Sequence, residues 1–211
     1  IKKGITNMEN NIIKQQTIAL ELLFDYFNHK LFGRELPAVA LTIQSQGRKN
    51  CYGWCSVGER WVCKELDLVV KWYEINLSAE YMDRGIEQVS ATLIHEMVHL
   101  WNGINGINDC NPKTQNHNKH FKTKAEEVGL VVEKMDKKGW AITYLSDSLK
   151  ELIKESEIED VFNCSRMVAE KVEKEKKPVN KYVCGCGIVM KSTKELDIIC
   201  GKCMERFEVE E

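Results

Sequence analysis

Residues 83–106 read DRGIEQVSATLIHEMVHLWNGING, and the rest of the chain has to be arranged around this stretch. Apolar side chains at Ile86, Val89, Leu93, Met97, Leu100 and Trp101 recur at helical spacing. Asp83 stands before them as a capping residue, and Asn102-Gly103 with Asn105-Gly106 marks the stop. At roughly 100° per residue, Ile86, Leu93, Met97 and Ile104 point one way and His95 and His99 the other. Ile94 and Val98 make a second flank apolar, so the helix has to be covered on two sides and is expected at the centre of the fold.

The five residues HEMVH, 95–99, carry the chemistry. Two histidines four apart lie on one helix face, so both imidazoles reach a single cation, and Glu96 lies beside them as a general base. A solvated polar stripe is the alternative, but unpaired His and Glu among apolar helical neighbours are costly. The pattern therefore points to a zinc hydrolase, whose metal takes three protein ligands and keeps one position open. The metzincin extension needs Gly at 102 and His at 105, where this chain has Asn102 and Asn105, so that subtype is excluded. Downstream candidates for the third ligand are His117, His120, Glu126 and Glu127. HNKHFKTKAEEVGL reads as a short helix stopped by Gly129, with Phe121, Ala125 and Val128 facing inward. His117 falls about 40° from Phe121 and His120 about 100°. His120 then reads as a rim residue, Glu126 and Glu127 as a solvated face, and His29 as a helix-terminus histidine.

Working outward, residues 8–30 carry Ile12, Leu20, Leu23, Phe24 and Phe27 at helical spacing, ended by Gly33 and Pro37. Short β-branched and aromatic runs at 39–43, 52–57, 60–63 and 73–77 read as a small antiparallel sheet, with a hairpin turn at Gly58-Glu59. Residues 130–145 read as a further strand pair, and 146–172 as an amphipathic helical extension. The expected architecture is α+β: a domain over 8–172, a charged linker over 173–180 and a small C-terminal unit over 181–211.

That last unit is too short to bury a core alone. Its Cys184 and Cys186, then Cys200 and Cys203, form two close pairs separated by 13 residues, the layout of a zinc ribbon with four thiolates around one structural ion. Buried free cysteines are the alternative, which the paired spacing disfavours. Cys51, Cys55, Cys63, Cys110 and Cys164 stand apart and most read as small core residues, with exposure near the hairpin the alternative for Cys51 and Cys55.

Bulk composition is that of an ordinary soluble globular protein: 211 residues, 43% hydrophobic and 29% charged. A net charge of −2 gives no global attraction for nucleic acid or an anionic membrane, so nucleic-acid binding requires a local patch. Lys113, Lys119, Lys122 and Lys124 are the better candidate for one, since residues 181–211 hold five basic and six acidic side chains. No apolar run of about 18 residues exists, and the start lacks the apolar core of a secretory signal, so no membrane partner and a cytoplasmic location are expected. Residues 1–7 precede the first methionine and are set aside in reading the fold.

Taken together, HEMVHLW, the later HNKHF, the upstream FNHKLFGRELP and YEINLS segments and the cysteine tail resemble the SprT-like metallopeptidases, the group that includes Spartan. The resemblance implies a zincin-like core, zinc held by His95, His99 and His117, Glu96 as catalytic base, and a C-terminal ribbon. Asn118 stands where the family usually has glycine, and His120 where it often has an acidic residue. A protein or peptide substrate is implied, and the Spartan branch extends this to proteins crosslinked to DNA. The rival expectation is a zinc-stabilised nucleic-acid-binding or adaptor protein in which HEMVH is structural or vestigial.

Overall fold

Two units, Ile1–Val168 and Ala169–Glu211, make up the computed structural model, which describes residues 11–45, 50–65, 68–111, 113–114, 116–136, 139–168 and 178–210. Residues 1–10 and the expected linker positions 173–177 lie outside the described residues. In the first unit α1 spans Ile12–Leu31, capped by Asn11, whose side chain accepts from the backbone N–H groups of Ile13 and Lys14. Its buried face is Gln16, Ala19, Leu20, Leu23, Phe24 and Phe27, and Gly33, at φ 60°, lets the chain turn away.

Strands β1 (Val39–Gln44), β2 (Gly53–Cys55), β3 (Trp61–Glu65) and β4 (Leu68–Ser78) follow. The sheet is mixed rather than antiparallel: β1 runs parallel to β4, with Leu41 beside Ile75, while β2 and β3 are antiparallel to it. Nor do β2 and β3 pair with each other across Gly58-Glu59. The reason is the length of β4, whose 11 residues hold β3 along the first half and β2 along the second. Gly58, at φ 81°, sits in the excursion between the two.

The central helix α2, Gly85–Ile104, buries Val89, Leu93, Ile94, Met97, Val98 and Leu100. Its N-cap is Arg84 without a side-chain capping bond, so Asp83 does not cap it. The helix also runs through Asn102-Gly103, because Asn102 is buried and its amide donates to Asp109. Helix α3 (Lys119–Glu127), the antiparallel pair β5 (Leu130–Met135) and β6 (Gly139–Leu145), and α4 (Asp147–Glu155) follow, and a single 3-10 turn, Ala79–Tyr81, leads from β4 toward α2.

The extension expected as helix to residue 172 is helical only through α4; residues 169–172 lie outside the described part. Glu157, at φ 55°, ends the turn. The following segment spends its backbone groups on distant partners: Phe162 and Cys164 carbonyls accept from Gly85 N and Gln16 Nε2, and Arg166 N donates to Ala79 O. Phe162 is buried by the same fastening. Leu93, Ile94, Met97 and Val98 are all fully buried within one cluster fed by α1, β4, α3, β5 and α4. Leu93→Ala is therefore predicted to cost about 2–5 kcal/mol of unfolding free energy, measured by urea denaturation.

Candidate metal centre

The central helix delivers His95 and His99 to one side, one turn apart. His117 joins them by another route. It lies outside α3, one residue before the N-cap Asn118, so its position does not come from the helix-face geometry expected from the sequence. Its backbone instead bridges Cys110 on one side and Gly139 on the other, and its carbonyl accepts from Trp140 N at 3.2 Å. Asn118 fastens the next residue: its Oδ1 accepts from His120 N and Phe121 N, and its Nδ2 donates to Asn108 O. The Asn118 amide thus both caps α3 and ties the preceding loop down.

The Nε2 atoms of His95 and His99 lie 3.2 and 3.0 Å from His117 Nε2. Nitrogens around one tetrahedral zinc at about 2.0–2.1 Å stand roughly 3.3 Å apart, so the spacing fits a shared cation. Hydrogen bonding points the same way. His99 Nδ1 faces the Asp109 carboxylate at 2.7 Å, which accepts its proton and leaves Nε2 a bare lone pair. His95 Nδ1 meets Thr143 Oγ1 at 3.0 Å. One proton between three facing Nε2 atoms satisfies a single pair, whereas a cation satisfies all three. Phe121, fully buried, floors the cluster with its ring centroid 4.3–4.7 Å from each imidazole.

Burial governs the electrostatics. It lowers the His95 pKa well below its usual value, with the His99 and His117 charges adding to the effect, and takes His117 to about 4. For His99 burial also pulls down, but the Asp109 hydrogen bond and the Glu96 and Asp109 charges outweigh it. Glu96, 5% exposed, is pushed up to about 7 by burial, against the pull of His99 and the Cys55 backbone N–H. A cation among the imidazoles opposes that rise.

His99, Asp109 and Cys110 form a second group of donor atoms close enough to share an ion. That set is the poorer one. Asp109 is already bonded to His99 and Asn102, and burial with the Asp109 charge pushes the Cys110 thiol up to about 12, keeping it protonated. His120 is exposed and belongs to neither group, and His29 is exposed on α1. Glu126 and Glu127 pair with Lys122 and Lys124 instead. The candidate basic patch is thereby broken up: Lys124 is buried over the Trp101 ring, and Lys122 lies over Trp140.

Gly53 of β2 sets the other wall. A Cβ there would stand 3.0 Å from Asn76 O and from Thr92 Cγ2, and 3.1 Å from Glu96 Oε1. Only glycine lets the strand pass this close to the carboxylate. Between β2, α2 and β6 opens a cleft of about 980 Å³, lined by His95, Glu96, His117, Gly53, Thr143 and Arg84 among others.

The second unit is the three-stranded sheet β8-β7-β9, from β7 (Asn180–Val183), β8 (Val189–Ser192) and β9 (Glu208–Glu210). All four of its cysteines are free thiols and converge, with Cys184–Cys203, Cys184–Cys186 and Cys186–Cys200 Sγ distances of 3.1, 3.6 and 3.6 Å. Thiolates around one tetrahedral zinc at about 2.3 Å lie roughly 3.8 Å apart. Backbone N–H groups of Cys203 and Lys202 lower the Cys200 thiol to about 6, while the crowded neighbouring sulfurs and burial raise Cys184 and Cys186. Tyr182, Cys184, Cys200 and Phe207 are its buried centre, so the cluster and the core are the same object. The architecture fits a zinc ribbon.

The sequence profile of the SprT-like family matches residues 20–143, from within α1 to Thr143. The chain belongs to the SprT-like family. One similar protein, described as "Uncharacterized protein in mucB 3'region" of Salmonella typhimurium, is 44% identical over 46 residues, 22% of this chain and 58% of that protein. The chain thus spans little over half the length of that relative. No solved structure matches.

Within this SprT-like site, sequence reasoning missed Asp109, Thr143, Gly53 and Gly139. Gly53 left a signal as a glycine inside the 52–57 strand run, and so did Gly139, inside the 130–145 strand pair. Gly139 adopts φ 71°, and a Cβ on it would collide with the His117 carbonyl. Gly139→Ala is predicted to displace His117 and weaken zinc binding at this centre by about tenfold or more, read by competition with a chromophoric chelator. Cys200→Ser is predicted to remove one zinc per chain and collapse the amide dispersion of residues 180–210 in NMR spectra, leaving the first unit folded.

Proposed function

We propose that this SprT-like chain is a zinc-dependent endopeptidase with a zincin-like core. The observation that carries the reading is the convergence of three Nε2 atoms beside a buried glutamate on one open cleft. His95, His99 and His117 would hold the ion, with Asp109 and Thr143 fixing the outer nitrogens of two rings. Bound zinc supplies Lewis acidity toward water and a carbonyl oxygen. Glu96 takes a proton from the attacking water and returns it to the leaving amine as the C–N bond breaks and a C–O bond forms. Cys55 N–H holds that carboxylate in place, and the glycine at 53 lets β2 run close beside it. The ribbon zinc, on Cys184, Cys186, Cys200 and Cys203, is structural in this reading.

The finer proposal is that the substrates are proteins held on or crosslinked to DNA, supported by the likeness of HEMVHLW, HNKHF and the cysteine tail to the SprT-like metallopeptidases, the group that includes Spartan. The ribbon adds no charge-based support, since two of its basic residues, Lys181 and Arg206, pair with Glu210 and Asp197. Among the described residues no helix is long and apolar enough to cross a membrane.

Glu96→Gln is predicted to keep two zinc ions per chain while cleavage of an unfolded protein substrate falls by at least about a hundredfold. Undiminished proteolysis by that variant rules the mechanism out. Cleavage measured with and without single-stranded DNA tests the finer proposal, which requires stimulation by DNA.

A further inference from the structure

One cation in the cleft wall has no use in the chemistry above. Arg84 is half-buried at the N-terminus of α2, and its guanidinium lies over the Tyr52 ring at 4.3 Å. Tyr52 is itself braced edge-on by Tyr81, with centroids 4.8 Å apart. Arg84 Nε donates to Tyr81 O at 2.7 Å and Nη2 to Thr92 Oγ1 at 3.0 Å, which engages two of the five guanidinium N–H bonds. Among the described residues no carboxylate forms an ion pair with it; Asp83 acts on it only at longer range. Burial is the largest influence on its ionisation and opposes the charge; Tyr52, Asp83 and Tyr81 act on it in the other direction without a direct ion pair.

The other charges around the cleft are accounted for. Lys150, on α4, is paired with Asp147 at 3.0 Å, and Glu87, on α2, lies in the field of Lys154. Arg84 is thus a stacked, clamped fork with free N–H bonds, suited to a planar carboxylate. Its bond to Thr92 places the guanidinium four helical residues before Glu96, about 6 Å along the axis. Extended peptide advances about 3.3 Å per residue, so the separation is roughly two substrate residues. Tyr52 adjoins Gly53, which borders Glu96, so one segment lying along β2 meets both groups.

Resting on the peptidase reading, we infer that Arg84, stacked on Tyr52, is a specificity subsite for an aspartate or glutamate side chain about two residues from the cleaved bond. Apolar lining from Ala91, Ala141, Ile142 and Leu145 favours a peptide over a polyphosphate strand as the occupant.

The test uses the full zinc-loaded chain carrying Glu96→Gln, so that binding is read apart from turnover. Fluorescent octapeptides with Glu, Gln or Lys walked through each position are titrated by anisotropy. One position should bind with Glu about tenfold tighter than with Gln. Arg84→Gln should bring that ratio close to one, Arg84→Lys should give an intermediate ratio, and Arg84→Glu should turn the preference toward Lys, an inversion misfolding does not produce. Equal binding of the Glu and Gln peptides at every position overturns the subsite, as does a preference that survives Arg84→Gln. A single-stranded oligonucleotide that loses affinity with Arg84→Gln while the peptide ratio stays unchanged also overturns it, reassigning the cation to phosphate. Turnover by the chain with Glu96 intact separates the two claims. Cleavage without charge preference sinks the subsite alone, and charge-selective binding without any cleavage sinks the peptidase reading alone.

Discussion

Three imidazole nitrogens facing one point in a buried pocket are mutually repulsive unless something positive lies between them, and the first unit is organised around that constraint. Two of the rings cost the fold little to place, because a helix presents residues four apart on one side without further instruction. The third has to be brought across from a different part of the chain. A backbone bridge to Cys110, a second to Gly139 and the Asn118 cap together fix it. Phe121 then closes the floor beneath all three rings, excluding water and strengthening every charge interaction above it.

The outer contacts of these rings matter as much as the rings. Asp109 is held by Asn102, which the central helix keeps buried by running through Asn102-Gly103 and stopping only before Asn105-Gly106. The last residues of the helix are therefore what steadies the carboxylate behind His99. Across the cleft, the long strand β4 carries β2 close enough for Gly53 to touch Glu96. Sheet length, helix length and ligand geometry are in this way parts of one arrangement.

Much of this was legible in the sequence. The central helix, the opening helix, the β5–β6 pair and the convergence of the four ribbon cysteines follow from local spacing, and spacing is a local property. What escaped is non-local. The parallel pairing of β1 with β4 and the absence of a β2–β3 hairpin depend on which strand is long enough to serve two partners. His117 was selected by its angle from Phe121 on a helix that begins only after it, so its inward placement rests on a bridge that no periodicity encodes. Asp109 and Thr143 lie 10 and 48 residues from the histidines they orient, and nothing in a single sequence links them. The segment after α4 has a helical pattern, yet its backbone is spent on α1 and the start of α2.

The central claim is that one cation sits among His95, His99 and His117. Anomalous diffraction from crystals of the full chain, recorded on both sides of the zinc absorption edge, tests it most directly. The account predicts a zinc peak about 2.0–2.1 Å from all three Nε2 atoms, alongside a second peak among the four ribbon sulfurs. A zinc peak between His99 Nδ1, Asp109 and Cys110, or none beside the three Nε2 atoms in zinc-loaded crystals, would contradict it.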